Sequence, residues 1–290
     1  MPEFPDVELY RHALEVRLVG QVLRGLRIPS PSLVRTARPS CRDAVGRTVV
    51  GVERLGKRIV LEFEGGLFFV IHLMIAGRFQ WKKPAVAVPR KRCHGALDFD
   101  DGTLLLTEAS TRKRASLHVV QGRAGLAEHD PGGLDVFAST FAEFVAAITR
   151  TNHTLKRGLT DPHILSGIGN AYSDEILHAA RLSPLQTVAH LDEAELRTLF
   201  DAIRSVLTWW VDHLHVQTGD DFPSKVTAFR PEMAVHGRFK QPCPVCDSPV
   251  QRIVSSQREL NYCATCQTGG RLLADRALSR LLKEDWPRRL

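Results

Sequence analysis

The chain lacks any apolar run long enough to cross a membrane, and its first residues do not resemble a secretory signal. Its apolar segment at residues 66–76 is too short for a membrane helix and is typical of a buried strand. Internal repeats and long low-complexity tracts are also absent from the sequence. These absences exclude membrane-spanning and repeat-built proteins, and we expect a cytoplasmic protein.

Cysteine is scarce, with six among 290 residues, and four of the six form two Cys-x-x-Cys pairs. The pairs are Cys243 with Cys246 and Cys263 with Cys266. Four thiolates at this spacing suit a tetrahedral zinc ion whose ligand positions are all filled, which is a structural site rather than a catalytic one. Two disulfides are the alternative, and a reducing cytoplasm disfavours them. We therefore predict one structural zinc ion, and ordinary free thiols at Cys41 and Cys93.

Acidic residues are outnumbered, since 32 Asp plus Glu stand against 39 Lys plus Arg. The resulting net charge of +7 and pI of about 9.3 favour binding to nucleic-acid phosphates. A length of 290 residues with 43% hydrophobic content is enough for about two domains with cores of their own.

Short apolar segments separated by turns fill the first part of the chain. They lie at 48–55, 59–63, 67–73 and 103–107. Gly65-Gly66 and Asp100-Asp101-Gly102 mark hairpin turns, and Lys57 is expected to project from the bend at Gly56-Lys57-Arg58. The pattern predicts a β-sandwich preceded by a helix. Residues 129–135 then break all periodicity, and helical patterns follow at 137–149, 171–180 and 192–214.

The first eight residues, Met1-Pro-Glu-Phe-Pro-Asp-Val-Glu8, place a proline behind a removable methionine. Loss of Met1 would give Pro2 a secondary amine with a pKa near neutrality, about 7.7–8.0 for terminal amines. Such an amine can attack C1′ of a sugar and form an iminium ion, while Glu3 moves protons. A purely structural interpretation is that Pro5 opens a helix. Helical spacing is shown by Val7, Tyr10, Leu14 and Leu18.

These features, taken in order, resemble the formamidopyrimidine-DNA glycosylase and endonuclease VIII family. The opening resembles the family's Met-Pro-Glu-Leu-Pro-Glu-Val-Glu, and residues 56–62 resemble the hairpin that carries its lysine. The resemblance implies Pro2 as nucleophile, Glu3 as acid and Lys57 as an assistant in the glycosylase step. It also implies an α+β fold, with an N-terminal helix plus β-sandwich domain, then a helical helix–two-turn–helix domain with a C-terminal four-cysteine zinc finger.

Residues 155–177 resemble the family's helix–two-turn–helix element and include Gly167-Ile-Gly-Asn170. Unpaired backbone N–H groups at a helix start can bind a phosphate, although Asn170 alone can also be read as a helix cap. The resemblance implies that Lys156 and Asn170 bind phosphates around the damaged nucleotide. The predicted domains are a catalytic domain at 1–128, a linker at 129–135, a helix–two-turn–helix domain at 136–235, a zinc finger at 236–271 and a C-terminal helical extension at 272–290.

Other segments depart from the family pattern. Met74 or Ile75 is the candidate for the wedge that replaces an everted base, with Arg112 or Arg114 as its partner, and no phenylalanine stands where the family commonly has one. The alternatives are that Met74 fills a core and that the basic run faces phosphates or solvent. Residues 219–231 look shorter than the family's lesion-capping loop.

Two departures lie near the C-terminal end. Arg258 matches the family's finger arginine that grips phosphates, although its neighbours differ, and an ordinary surface arginine is the alternative. The amphipathic extension is expected to pack on the finger rather than to recruit a partner.

We therefore predict a monomeric, nucleoid-associated bacterial enzyme of base-excision repair that binds damaged DNA and is both a DNA glycosylase and an abasic-site lyase. Eversion of the nucleotide is required because C1′ is inaccessible within the base stack. The alternatives are a damaged-DNA-binding protein of the same family with reduced or no lyase activity, and an unrelated regulator with a zinc ribbon. The preferred lesion is left open by the sequence.

Overall fold

A computed structural model describes residues 1–89, 92–255, 258–274 and 288–290. Across these ranges, no helix is both long enough and apolar enough to cross a membrane. The chain forms two compact units, Met1–Pro131 with Trp210–Thr227, and Gly132–Trp209 with Ala228–Leu290. Trp210–Thr227 thus groups with the first unit, whereas the domain limits predicted from the sequence place it in the helical domain. Those limits stay a prediction.

The first unit is a β-sandwich with two helices. Its elements are α1 (Phe4–Leu18), β1 (Gly25–Arg27), β2 (Val49–Leu55), β3 (Arg58–Phe63), β4 (Leu67–His72), β5 (Gly77–Lys82), β6 (Cys93–Asp98), β7 (Thr103–Glu108), β8 (Ser116–Gln121) and α2 (Gly122–Ala127). One antiparallel sheet has the order β1-β6-β7-β5 and the other the order β2-β3-β4-β8. The predicted helix and sandwich are confirmed.

The core of this unit follows from the alternation of side chains along each strand. In β4, Leu67, Phe69 and Ile71 point between the two sheets, where they join apolar residues of both sheets and of α1. Phe68 and Val70 point to the opposite face and are covered by residues that include Leu126 of α2. Because both faces of β4 are covered, the strand reads as a continuous apolar run. The helical spacing is also confirmed, since Val7, Tyr10, Leu14 and Leu18 are all buried.

The second unit is helical and ends in a small hairpin. Its elements are α3 (Phe141–Thr149), α4 (Leu155–Thr160), α5 (Asn170–Ala179), most of α6 (Glu193–Thr218), β9 (Gln251–Ser255), β10 (Arg258–Tyr262) and α7 (Ala264–Thr268). The expectation that the first of these helices starts at residue 137 was wrong. Thr140 caps α3, because its Oγ1 accepts from the Glu143 N–H at 3.3 Å while the Glu143 carboxylate accepts from the Thr140 N–H at 2.8 Å.

Candidate active site and phosphate-binding surfaces

The N-terminus of the chain is built into the start of α1. Pro2 and Glu3 are buried, and Glu3 occupies the N-cap position of the helix. The Glu3 backbone N–H donates to the carboxylate of Asp6 at 3.1 Å, and Pro5 lies in the first turn. The structural and chemical interpretations of the opening residues are therefore compatible, because the helix start is what holds Pro2 and Glu3 in place.

Four charged side chains act on the terminal amine. Burial lowers the pKa of the Met1 amine, and the positive charges of Arg78 and Lys57 act in the same direction. The negative charges of Glu3 and Asp6 oppose them. The structure thus brings the predicted acid Glu3 and the predicted Lys57 into electrostatic range of the amine. An amine that loses its proton more readily is nucleophilic at lower pH.

Lys57 lies at the tip of the β2–β3 hairpin, as the turn pattern predicted, and is half-buried. Gly56 precedes it with φ +60°, a left-handed conformation that glycine adopts without strain.

Sequence reasoning missed His72, which pairs across the strands with Arg58. Burial, followed by the charges of Arg58, Lys57 and His118, lowers the pKa of His72 to about 4. His72 is therefore a neutral hydrogen-bonding group near Lys57 at pH 7.

Met74 lies in the tight turn between β4 and β5, with φ +54°. Its side chain is half-exposed, so Met74 does not fill a core, and the neighbouring Ile75 is 59% exposed. A Cβ at Gly77 would lie 2.2 Å from the Leu73 carbonyl oxygen, so the turn closes only with glycine there. Arg78 braces the turn by donating from Nη1 to the Ile75 carbonyl at 3.1 Å. A rigid turn that exposes apolar side chains is suited to a wedge.

Arg112 is exposed on the loop between β7 and β8, and so is Arg114. The loop is built around Glu108, a buried residue that sequence reasoning missed. The Glu108 carboxylate accepts from the N–H groups of Arg114 at 3.0 Å and Ala115 at 3.2 Å. Lys113 folds back and donates to the Glu108 carbonyl at 2.7 Å. The loop therefore presents two of its three cations to solvent.

Asn170 is the first residue of α5, and Gly169 is its N-cap. The Asn170 side chain does not cap the helix, because its Nδ2 donates to the Glu259 carbonyl oxygen at 2.8 Å. Asn170 thus connects the glycine-rich turn to β10 of the finger hairpin.

Lys156 lies beside this helix start but is engaged by protein groups. Its Nζ donates to the Asn170 carbonyl at 2.7 Å and to Asp174 Oδ1 at 2.5 Å, and only 12% of the side chain is exposed. Asp174 is fully buried and also accepts from His236 Nδ1 at 2.7 Å and from the Asn261 N–H at 3.2 Å. These two bonds use two of the three hydrogens of the ammonium. The role of Lys156 as a phosphate ligand stays a prediction. Sequence reasoning missed Asp174, because its partners are distant along the chain.

The four predicted zinc ligands lie together, and none is in a disulfide. Their Sγ atoms fall within 4.8 Å of one another, with separations of 3.9 Å between Cys243 and Cys266 and 3.4 Å between Cys246 and Cys263. A tetrahedron with ~2.3 Å zinc–sulfur bonds has edges of about 3.8 Å, which the four thiols match. They form the site of one structural zinc ion.

His178 of α5 supports this site from outside the ligand set. Its Nε2 lies 3.2 Å from Cys243 Sγ, and both residues are buried. A neutral imidazole donates one N–H, and a metal-bound thiolate accepts it. The finger and α5 are therefore joined at the zinc ligand itself.

The finger arginine and the extension are described only in part. Arg258 begins β10, and its side chain lies outside the described residues. The predicted helix of the extension falls mainly on 275–287, which also lie outside them.

Three family models match the chain in order along the sequence. They are the formamidopyrimidine-DNA glycosylase N-terminal domain at residues 1–116, the H2TH domain of the same enzymes at 133–218, and the zinc finger found in FPG and IleRS at 240–269. The formamidopyrimidine-DNA glycosylase of Heliobacterium modesticaldum is 32% identical over 283 residues, which cover 92% of this chain and all of that protein. The chain belongs to the formamidopyrimidine-DNA glycosylase family. It is thus a member of a family of DNA glycosylases of DNA repair.

Solved structures of this glycosylase family show the same fold. The Thermus thermophilus enzyme is 30% identical with a TM-score of 0.76, and the match covers 92% of this chain and 98% of that one. The Lactococcus lactis enzyme, in complex with an oxidised pyrimidine-containing DNA, is 25% identical with a TM-score of 0.79 and covers 92% and 100%.

We predict that His178→Phe accelerates zinc loss, because the Cys243 thiolate loses its hydrogen-bond donor. Loss of a hydrogen bond to a metal ligand costs about 10–100-fold in metal affinity. Zinc release to a chromogenic chelator measures the effect, and His178→Gln, which keeps a donor, should restore most of the retention. Equal retention in the Phe variant and the wild type would contradict this role.

We predict that Lys156→Met destabilises the protein strongly, by roughly 3–5 kcal/mol, because it removes one partner of a buried charge pair. Urea unfolding measures the loss. The double variant Lys156→Met/Asp174→Asn removes both charges and should recover part of the stability. If the separate effects of Lys156→Met and Asp174→Asn on the unfolding free energy add up to the effect of the double variant, the pair is uncoupled.

Proposed function

We propose that this glycosylase is bifunctional, removing a damaged base and then cleaving the strand as an abasic-site lyase through a Schiff base on Pro2. The observation that carries the proposal is the burial of Pro2 and Glu3 at the start of α1, with Lys57 and Arg78 acting electrostatically on the terminal amine. A merely structural helix start needs no cations there. The alternative is a damaged-DNA-binding protein without lyase chemistry.

In the proposed reaction, removal of Met1 frees the Pro2 amine. The amine attacks C1′ of an everted nucleotide, the base departs with a proton as the C1′–N bond to it breaks, and the amine gives up its own proton. Glu3 then protonates the ring oxygen, and the C1′–O4′ bond breaks as the C1′=N iminium forms. The resulting iminium is cationic without protonation, so it withdraws electrons from the C2′–H bond. Loss of the C2′ proton then expels the 3′ phosphate oxygen, and water later releases the sugar from Pro2. Lys57, which is half-buried at its hairpin tip, supplies positive charge near the reacting nucleotide.

Residues of both units contribute to DNA binding in this proposal. In the first unit, Met74 replaces the everted base and the exposed Arg112 meets a phosphate. In the second unit, Asn170, Lys156 and Arg258 bind phosphates around the lesion. The position of Asn170 as the first residue of α5 supports this assignment, because the partial positive charge at a helix N-terminus favours an anion.

Trapping with borohydride tests the mechanism. On an abasic-site oligonucleotide, the protein with a verified free Pro2 should give a covalent adduct that mass spectrometry places at residue 2. Retained Met1 or an acetylated terminus should abolish the adduct, since only an uncharged free amine attacks. Duplexes with single damaged bases should be tested beside the abasic site, including an oxidised pyrimidine of the kind in the DNA bound by the Lactococcus enzyme.

Glu3→Gln is the matched variant for this experiment. It should impair base release more than cleavage at a bare abasic site, because the latter has no base to expel. If the free-Pro2 protein traps no substrate, or traps through Lys57, the lyase proposal is wrong and the DNA-binding alternative is favoured.

The pH dependence of trapping provides a second test. The amine attacks only when deprotonated, so the rate should rise with pH through the pKa of the amine. Burial, Arg78 and Lys57 hold the pKa of the Met1 amine below its ordinary value of 8.0. We expect the same groups to lower the pKa of the Pro2 amine one residue away, so the plateau should be reached at a lower pH than for an exposed amine. Lys57→Met should move the midpoint to higher pH, while the exposed Arg42→Gln should leave it unchanged. An unchanged midpoint in Lys57→Met would show that Lys57 does not affect the pKa of the amine.

A further inference from the structure

The last residues of the chain pair with the segment that leaves the zinc finger. The Leu272 N–H donates to the Arg288 carbonyl at 2.9 Å, and the Leu290 N–H donates to the Gly270 carbonyl at 3.1 Å. Between these bonds, Arg271 and Arg289 lie opposite each other in an antiparallel bridge. The matched finger model ends at residue 269, so this pairing adds to the family finger.

The pairing is anchored to the finger by apolar and polar contacts. Leu273 is buried in a cluster with Tyr262 and Ala264. Its backbone N–H donates to the Tyr262 hydroxyl at 2.8 Å. Since Tyr262 ends β10, the paired segments are held at the opposite end of that strand from Arg258. This agrees with the expectation that the extension packs on the finger, as far as it is described.

The pairing places like charges side by side. Arg271, Arg288 and Arg289 are all exposed, and residues directly opposite in an antiparallel pair have Cα atoms roughly 4.5–5.5 Å apart. Like charges at that spacing destabilise the pairing. Among the residues that the structure describes, no carboxylate forms an ion pair with any of these three arginines. An anion bound between them would remove the repulsion.

The composition of the extension agrees with an anionic partner. Residues 271–290 contain six Lys plus Arg against three Asp plus Glu, a net +3 out of +7 for the whole chain. We propose that Arg271, Arg288 and Arg289 form a second phosphate-binding element, which binds the DNA backbone beyond the contacts of the family finger. The five residues of β10 separate the two ends of the strand by ~14 Å, the rise of about four base pairs.

Salt titration of DNA binding tests the proposal on an undamaged ~20-base-pair duplex, so the result does not depend on the Pro2 chemistry. Each phosphate contact adds about −0.9 to the slope of log affinity against log salt concentration. Arg288→Gln/Arg289→Gln keeps the backbone pairing and should make the slope shallower by as much as ~1.8. The control Arg38→Gln/Arg42→Gln removes the same charge from exposed positions of the first unit and should change the slope less.

One further variant completes the design. Arg288→Lys/Arg289→Lys keeps the charge and should retain the wild-type slope. An unchanged slope in the Gln variant, or an equal loss in the control, would overturn the proposal. A Gln variant with a lower melting temperature or lower zinc content would assign the arginines to finger stability, and this too would overturn it.

Discussion

The buried carboxylate of Asp174 holds the second unit together. An ionised carboxylate without partners is costly in a protein interior, so its position requires donors from every side. Lys156 comes from α4, His236 from the loop before the finger, and Asn261 from β10. Glu175, the next residue, accepts three N–H groups from Ala234, Val235 and His236 in the same loop. Two adjacent acids in the middle of α5 therefore fix the elements from which phosphate contacts are proposed.

In the first unit, the residues at the start of α1 affect both the stability of the helix and the reactivity proposed for Pro2. A helix N-terminus favours acids, and Asp6 satisfies this by accepting from the Glu3 N–H. The same acids raise the pKa of the terminal amine and would keep it protonated. Burial, Arg78 and Lys57 oppose that effect. The reactivity proposed for Pro2 thus depends on a balance between a helix that needs negative charge and an amine that must lose its proton.

Local patterns predicted much of the fold, and long-range contacts account for what was missed. Apolar segments and turn residues predicted β2 to β4, and the spacing of cysteines predicted the zinc site. β6 was missed because its sequence, Cys-His-Gly-Ala-Leu-Asp, is neither a continuous apolar run nor an alternating pattern, although five of its six residues are buried. The start of α3 was wrong because Thr140 and Glu143 form a capping box inside an apolar segment. The partner of Lys156 was not predictable, since Asp174 lies 18 residues away and nothing local connects them.

The contribution of each cation to DNA affinity depends on whether it is exposed or already bound to groups of the protein. Several cations are already bound to protein groups, as Lys113 is to the Glu108 carbonyl and Arg78 is to the Val226 carbonyl at 2.6 Å. Hydrogen bonds of this kind hold a side chain in place and reduce its freedom to displace counterions from DNA. Exposed arginines such as Arg112 keep that freedom. The salt dependence of binding should therefore follow the exposed subset, because counterion release counts only cations that reach a phosphate. The formal charge of +7 counts exposed cations and protein-bound cations alike. It therefore indicates a nucleic-acid partner without locating the binding surface.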